Sequence, residues 1–494
     1  MAALLRLASH LLYPSTQPSP TASKPDIISI FATAADDPSA AIDQLVRKNG
    51  GKWPPNPSFD TSWPAPLRVY HAAYEIVAPL FPVLDSSTND AENRKTIDAM
   101  RARIRGLLSG DPIHGAPQCF VDMKAVVSIL KDAESGWWVD YDDQSMHSAM
   151  LGFCACVCFL RHAYRYVQGC SASLVPAEQC IDRWGVSPVV REAQIETSLS
   201  FPYELDEPWV HLQRYFGFTS AGGGLSTCLY FNTRGFDTNF KPFYSAVYGL
   251  SELHERTADW DARLFLETEH RSLPMYRLIA ATISACGSFT GEYTSDALVS
   301  LKEANTIFQD TSRFFFDNMK DTNISHALWL AYLQGYTGWG LPGADGVNVS
   351  GTSGGHSLTI RTLDAFLGIR PVPRPEQEAL HVPKAQRDWL DALREYDIRA
   401  KVQSAIEKCV DDPDSAAADF WQEMKNELQK MVQKLRLWRM GHMTRMVHYE
   451  GVHRPERVFM TAGLGIPSEG EAPDEAGMVD HLKRVLQERL TQTV

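Results

Sequence analysis

The chain has 494 residues, 44% of them hydrophobic and 22% charged, a soluble globular mix long enough for more than one packed unit, which excludes a disordered tail protein. Forty-seven Lys and Arg stand against 60 Asp and Glu, and the formal charge of −13 would repel a phosphate backbone, so no nucleic acid partner is expected. No stretch approaches the ~20 apolar residues of a membrane-spanning helix, so no membrane partner is expected.

In chain order, residues 1–60 read as arm and loops, with Pro, Ser and Thr crowding 14–25 and one short helix around 37–48. The start MAALLRLASHLLYP is interrupted by Arg6 and makes a poor signal peptide; residues 1–25 contain no acid and resemble a transit segment only faintly. Residues 61–200 form a smaller N-terminal domain and 201–494 a larger helical one. Apolar residues recur at three- and four-residue spacing in 67–81, 97–108, 146–167, 243–269, 297–319 and 324–336, so the fold is mainly α. The best strand candidates are GLSTCLYFN (224–232) and GVNVS (346–350). The nine cysteines include no C-x-x-C pair and read as core thiols of a reduced, cytoplasmic protein, leaving the sequons at Asn323 and Asn348 silent. Near the C-terminus the acidic Gly/Pro-rich stretch 465–477 is a lid candidate before a last amphipathic helix, 478–490.

Asp412-Pro413 opens a long helix that runs to about Tyr449. On it Trp421, Met424, Leu428, Met431, Leu435 and Trp438 follow at spacings of three and four, and the next step lands on His442. An unpaired buried polar group costs ~1–3 kcal/mol, so the imidazole needs a partner. A backbone carbonyl would make it a core histidine; a metal would make it an axial ligand whose second nitrogen is held by a hydrogen bond. Arg439, one turn earlier, is spaced to hold a haem propionate beside it.

Arg439, His442 and Tyr449 reproduce the R-x-x-H and following tyrosine of the last long helix of the indoleamine 2,3-dioxygenase family, which the chain resembles in pieces from about residue 60 to the end. SGTSGGHSLTIRTLDAFLGI (350–369) is similar to the family's small-residue loop, helix and D-x-x-L-G-I ending, and YLQGYTGW (332–339) to another family segment. The resemblance implies a small N-terminal α/β domain and a large all-helical domain sandwiching haem b. His442 would ligate the iron, Asp364 would lie near Arg439, and Ser353 and Gly354 would sit at the distal haem face. O2 would add across the C2–C3 bond of an indole, with the cofactor carrying the electronic step and the protein acting as a monomer.

The family's carboxylate-binding arginine corresponds to Leu330, and without a guanidinium a buried carboxylate loses roughly 2–5 kcal/mol of binding. Free tryptophan is therefore not the expected substrate; an indole whose carboxylate is absent, masked or held otherwise is. Ser325 and His326 replace family aromatics, making His326 a candidate for substrate contact or proton transfer. Met275, Tyr276 and Ile279 take the place of the distal aromatic wall, with Arg277 beside them as a substitute cation. Two competing readings stand. Gly351-Thr-Ser353-Gly-Gly355 fits the G-x-S-x-G elbow of a serine hydrolase, which requires supporting parallel strands, and a haem-binding protein without turnover would also carry Arg439 and His442.

Overall fold

The computed structural model describes residues 37–49, 51–59, 62–80, 90–111, 119–136, 144–165, 201–234, 239–245, 247–286, 295–325, 354–370, 375–409, 416–450 and 486–493, together with Leu328, Trp329, Leu333 and Arg484. Among them the chain is helical and contains no strand; the sole extended pairing is an isolated antiparallel bridge between Thr233 and Pro242. The expected N-terminal α/β domain is therefore not supported, the described residues of 61–200 being helices and short connections without a strand.

The first helix, α1 (Pro38–Arg47), begins where Asp37 accepts the backbone N–H groups of Ser39 and Ala40, with proline at the first position. Its face of Ala41, Ile42, Leu45 and Val46 is buried, so this helix, expected around 37–48, is docked on the core; residues 1–36 lie outside the described residues. α2 (Ala65–Val77), α3 (Asp90–Ser109) and α4 (Met123–Glu134, capped by Asp122) lead to α5 (Gln144–Arg165). The window Ser145–Tyr164 of α5 is apolar and long enough to cross a membrane, more so than the sequence reading allowed, and 89% of it is buried within the protein, as a core helix is. Gly152 lets the preceding loop lie flat on α5: a Cβ there would stand within van der Waals overlap of the Ser58 carbonyl, which the Trp63 indole N–H also reaches at 2.8 Å.

α6 (Tyr203–Phe216) packs on α4 and α5 and ends at Gly217, whose φ of 73° closes the helix in the left-handed region. The strand candidate 224–232 instead forms the short α7 (Leu225–Cys228) and a 3₁₀ turn over Tyr230–Asn232. Thr227 explains the difference, because its hydroxyl accepts the Gly224 N–H at 2.9 Å and donates to the Gly224 carbonyl at 3.2 Å. These local bonds close a helical turn where a three-step alternation would otherwise favour extension.

The second half is built on α8 (Glu252–Cys286) and α9 (Ser295–Asn318), which runs back along it. α10 (Leu358–Phe366), α11 (Pro375–His381), α12 (Lys384–Tyr396) and α13 (Ile398–Lys408) precede the long α14 (Ala416–Glu450). α14 lies along α9, and α12 packs on both α10 and α1. A continuous hydrophobic core runs from Ala41 to Leu435, crossing the boundary drawn at residue 200.

Buried neutral histidines make this packing acid-sensitive. Burial pushes His147, bonded to Tyr215 at 2.8 Å, down to about 3, and His381 down to about 4. Their folded pKa values lie below the unfolded value, so the unfolded chain binds more protons between about pH 6.5 and pH 4. Stability should therefore fall through that window, by up to ~1.4 kcal/mol per pH unit for each histidine. Urea midpoints at pH 7 and pH 5 should differ clearly and His147→Gln should flatten the difference; equal midpoints would contradict it.

Candidate functional site

The stripe on α14 continues in the structure as the spacing predicts. Trp421, Met424, Leu428, Met431 and Leu435 are buried, Trp438 is half-buried, and His442 follows on the same face. The imidazole stacks on Trp438 with ring centroids 4.9 Å apart and planes 13° apart, and Phe315 of α9 flanks it at 6.4 Å. Neighbouring Gly441 admits the ring of Phe316, which a Cβ would meet at 3.0 Å. These aromatics belong to a satellite cluster with Leu264, Met319, Ile324, Trp260 and Trp329.

His442 is half-buried, yet desolvation, aided by the positive charge of Arg439, lowers its pKa to about 4. Neither ring nitrogen has a hydrogen-bond partner among the described residues, so the backbone carbonyl that a core histidine needs is not found there. The ring is neutral at physiological pH and offers a nitrogen lone pair, the form in which histidine binds metals.

Arg439 is buried and its guanidinium is bonded to Asp364 of α10 and to the Thr493 hydroxyl. Asp364 also accepts Arg489 Nη2 at 2.6 Å. Burial raises the Asp364 carboxyl while the two guanidinium groups oppose that rise. The cluster ties α14, α10 and the segment 486–493 together, fixing the turn of α14 that bears His442. α10 is fastened at its other side through Arg361, which pairs with Glu378, itself bound by Arg394 Nη2 at 2.6 Å.

Ser353, His326 and Leu330 lie outside the described residues, as do the lid stretch 465–477 and the GVNVS segment. The side chain of Tyr449 also lies outside them. Gly354 is exposed and opens the 3₁₀ turn Gly354–His356 leading into α10; a Cβ there would stand 3.5 Å from Phe265 of α8. Phe265 lies roughly three turns before Met275, so the part of α8 that faces Gly354 is not the one singled out from the sequence. Met275, Tyr276 and Ile279 are fully buried, and the Tyr276 hydroxyl donates to Glu269 Oε2 at 2.7 Å and lies 3.0 Å from Thr359 Oγ1. The structure thus uses Tyr276 as an internal strut. With no strand among the described residues, the sheet that a G-x-S-x-G elbow needs is not found there either.

Two buried carboxyl groups escaped the sequence reading. Glu269 is fully buried, and its carboxylate accepts five donors: Trp53 Nε1, Tyr230 OH, Tyr276 OH, Ser357 Oγ and the Thr359 N–H, at 2.7–3.0 Å. Asp261, two turns earlier, accepts the Trp329 indole N–H at 2.9 Å, yet burial raises its carboxyl to about 7. Asp261 lines a cavity of about 60 Å³ between α5, α7 and α8. Thr268, Ser272 and Tyr276, spaced along α8 beside Glu269, were the one available signal: a polar stripe inside an otherwise apolar helix face.

The described residues therefore form a helical protein in which a half-buried histidine stacked on Trp438 lies one turn from a buried arginine–aspartate pair. No family model and no curated protein matches the chain.

Proposed function

We propose that the chain is a haem b-dependent oxygenase of the indoleamine 2,3-dioxygenase type, using O2 on an indole-type substrate in the cytoplasm. The observation that carries this reading is His442: a half-buried imidazole stacked on Trp438 and flanked by Phe315, with both nitrogens lacking a hydrogen-bond partner among the described residues. Such a donor fits an axial iron ligand, and Cys119, Cys154, Cys156, Cys158, Cys228, Cys286 and Cys409, none of them in a disulfide, fit a reducing compartment.

When bound, the haem supplies the dioxygen chemistry that amino-acid side chains lack. The protein's tasks are then positional. Trp438 sets the plane of the imidazole, the Asp364–Arg439–Arg489 cluster holds the helix turn in register, and Arg439 would be the residue to hold a propionate. Gly354, with Phe265 across from it, would face the bound group with an apolar surface. The substrate ring is held by apolar contact and water is excluded around it.

Leu330 supplies no cation for a substrate carboxylate, so recognition rests on the indole ring. Under air, 3-substituted indoles without a free carboxylate should be consumed with matching O2 uptake, and the ferrous spectrum should hardly change as tryptophan is added anaerobically. A saturable shift at micromolar tryptophan would contradict this substrate assignment, and absence of O2 uptake with every indole in a broad panel would favour haem binding without turnover.

A further inference from the structure

The third cysteine of the LGFCACVCFL run differs from its neighbours in what it faces. Cys158 and His162 stand four residues apart on α5 and so share a face of the helix. Cys228, at the end of α7, meets them there, its Sγ 3.8 Å from that of Cys158. The two sulfurs and a ring nitrogen of His162 all lie within 4.8 Å of one another. They converge over Gly223, where a Cβ would stand 2.6 Å from Cys158 Sγ, 2.7 Å from His162 Nε2 and 2.8 Å from Cys228 Sγ. Any side chain at 223 would crowd all three atoms, and glycine leaves the space between them open.

We propose that Cys158, His162 and Cys228 form a zinc site, distinct from His442. In a tetrahedral site with Zn–S bonds of about 2.3 Å, two sulfurs stand about 3.8 Å apart, the separation observed here. Two thiolates and an imidazole are the donor set that selects zinc over harder divalent cations. Cys158 and His162 are buried, and the three residues line the same cavity as Asp261, whose volume of about 60 Å³ holds water for the fourth position.

A supporting hydroxyl is in place. Thr227 Oγ1 lies 3.5 Å from Cys158 Sγ and 3.2 Å from the Gly224 carbonyl, so its proton turns from that carbonyl to the sulfur once the thiol is ionised. Metal binding releases one proton from each thiol, forms three metal–ligand bonds and involves no oxidant or reductant. The bound ion pins residues 223–228 to α5 and fixes the cavity wall next to Asp261.

The test uses the reduced full-length chain, stripped with chelator and titrated with Co²⁺. One equivalent should bind with thiolate-to-cobalt charge-transfer absorption and the strong visible bands of tetrahedral geometry, and one equivalent of Zn²⁺ should displace it. Cys228→Ser should lose about half of the charge-transfer intensity and weaken binding at least about tenfold, while Cys409→Ser and His442→Ala should bind cobalt as wild type does. Should Cys228→Ser not fold, the intensity expected of two thiolates in the wild-type spectrum decides. A folded, reduced wild type without cobalt bands would overturn the proposal, as would a Cys158–Cys228 disulfide in a non-reducing peptide map of freshly prepared protein.

Discussion

Glu269→Ala should destabilise the protein by about 5 kcal/mol or more, a large share of the 5–15 kcal/mol by which domains are stable. The reason is the number of donors left behind. Trp53, Tyr230, Tyr276, Ser357 and the Thr359 backbone all point at one carboxylate with no solvent access, and each stranded donor costs ~1–3 kcal/mol in such a site. Relaxation and partial re-pairing, such as Tyr276 turning to Thr359 Oγ1, keep the total below the sum.

Glu269→Gln separates charge from geometry. An amide oxygen in place of Oε1 still accepts Tyr230, Ser357 and Thr359, but the amide NH2 then faces the indole N–H of Trp53, which only donates. The cost should be about 2–3 kcal/mol, and Trp53→Phe should cost less in the Glu269→Gln background than in wild type. Urea denaturation of the four proteins in that double-mutant cycle reads the coupling directly; strictly additive changes would show that the two side chains do not depend on each other.

Local chemistry was legible from the residues alone, and long-range convergence was not. Asp37-Pro38 announces α1, and the three-four stripe from Trp421 to Trp438 leads to His442, because both signals depend on neighbours within one or two turns. Glu269 is invisible by that route, since its donors come from positions 53, 230, 276, 357 and 359 and meet only once four parts of the chain are packed. The same holds for Asp261 and Trp329. The segment 224–232 misled because a short alternation is weak beside a threonine that bonds back to Gly224. On α8, a helix of 35 residues, a match of aromatic positions by order alone pointed to Met275 and Tyr276, whereas Phe265 is the residue that faces Gly354.

His442→Ala should abolish stable haem binding while leaving the fold intact. The ring is half-buried and makes no hydrogen bond among the described residues, so truncation should cost only about 1 kcal/mol of stability. Removal of an axial ligand, by contrast, should weaken cofactor affinity beyond the 10–100-fold typical of losing a mere supporting contact. Added imidazole, which is small enough to enter the vacated space beside Trp438, should restore part of the binding.

The decisive measurement is the optical spectrum of haem-reconstituted wild type and His442→Ala in the ferric, ferrous and CO-bound forms. One haem per wild-type chain with a Soret band characteristic of histidine ligation, lost in the variant and regained with imidazole, is the predicted result. A wild type that stays colourless after reconstitution, or a variant whose spectra match the wild type in all three forms, would contradict it.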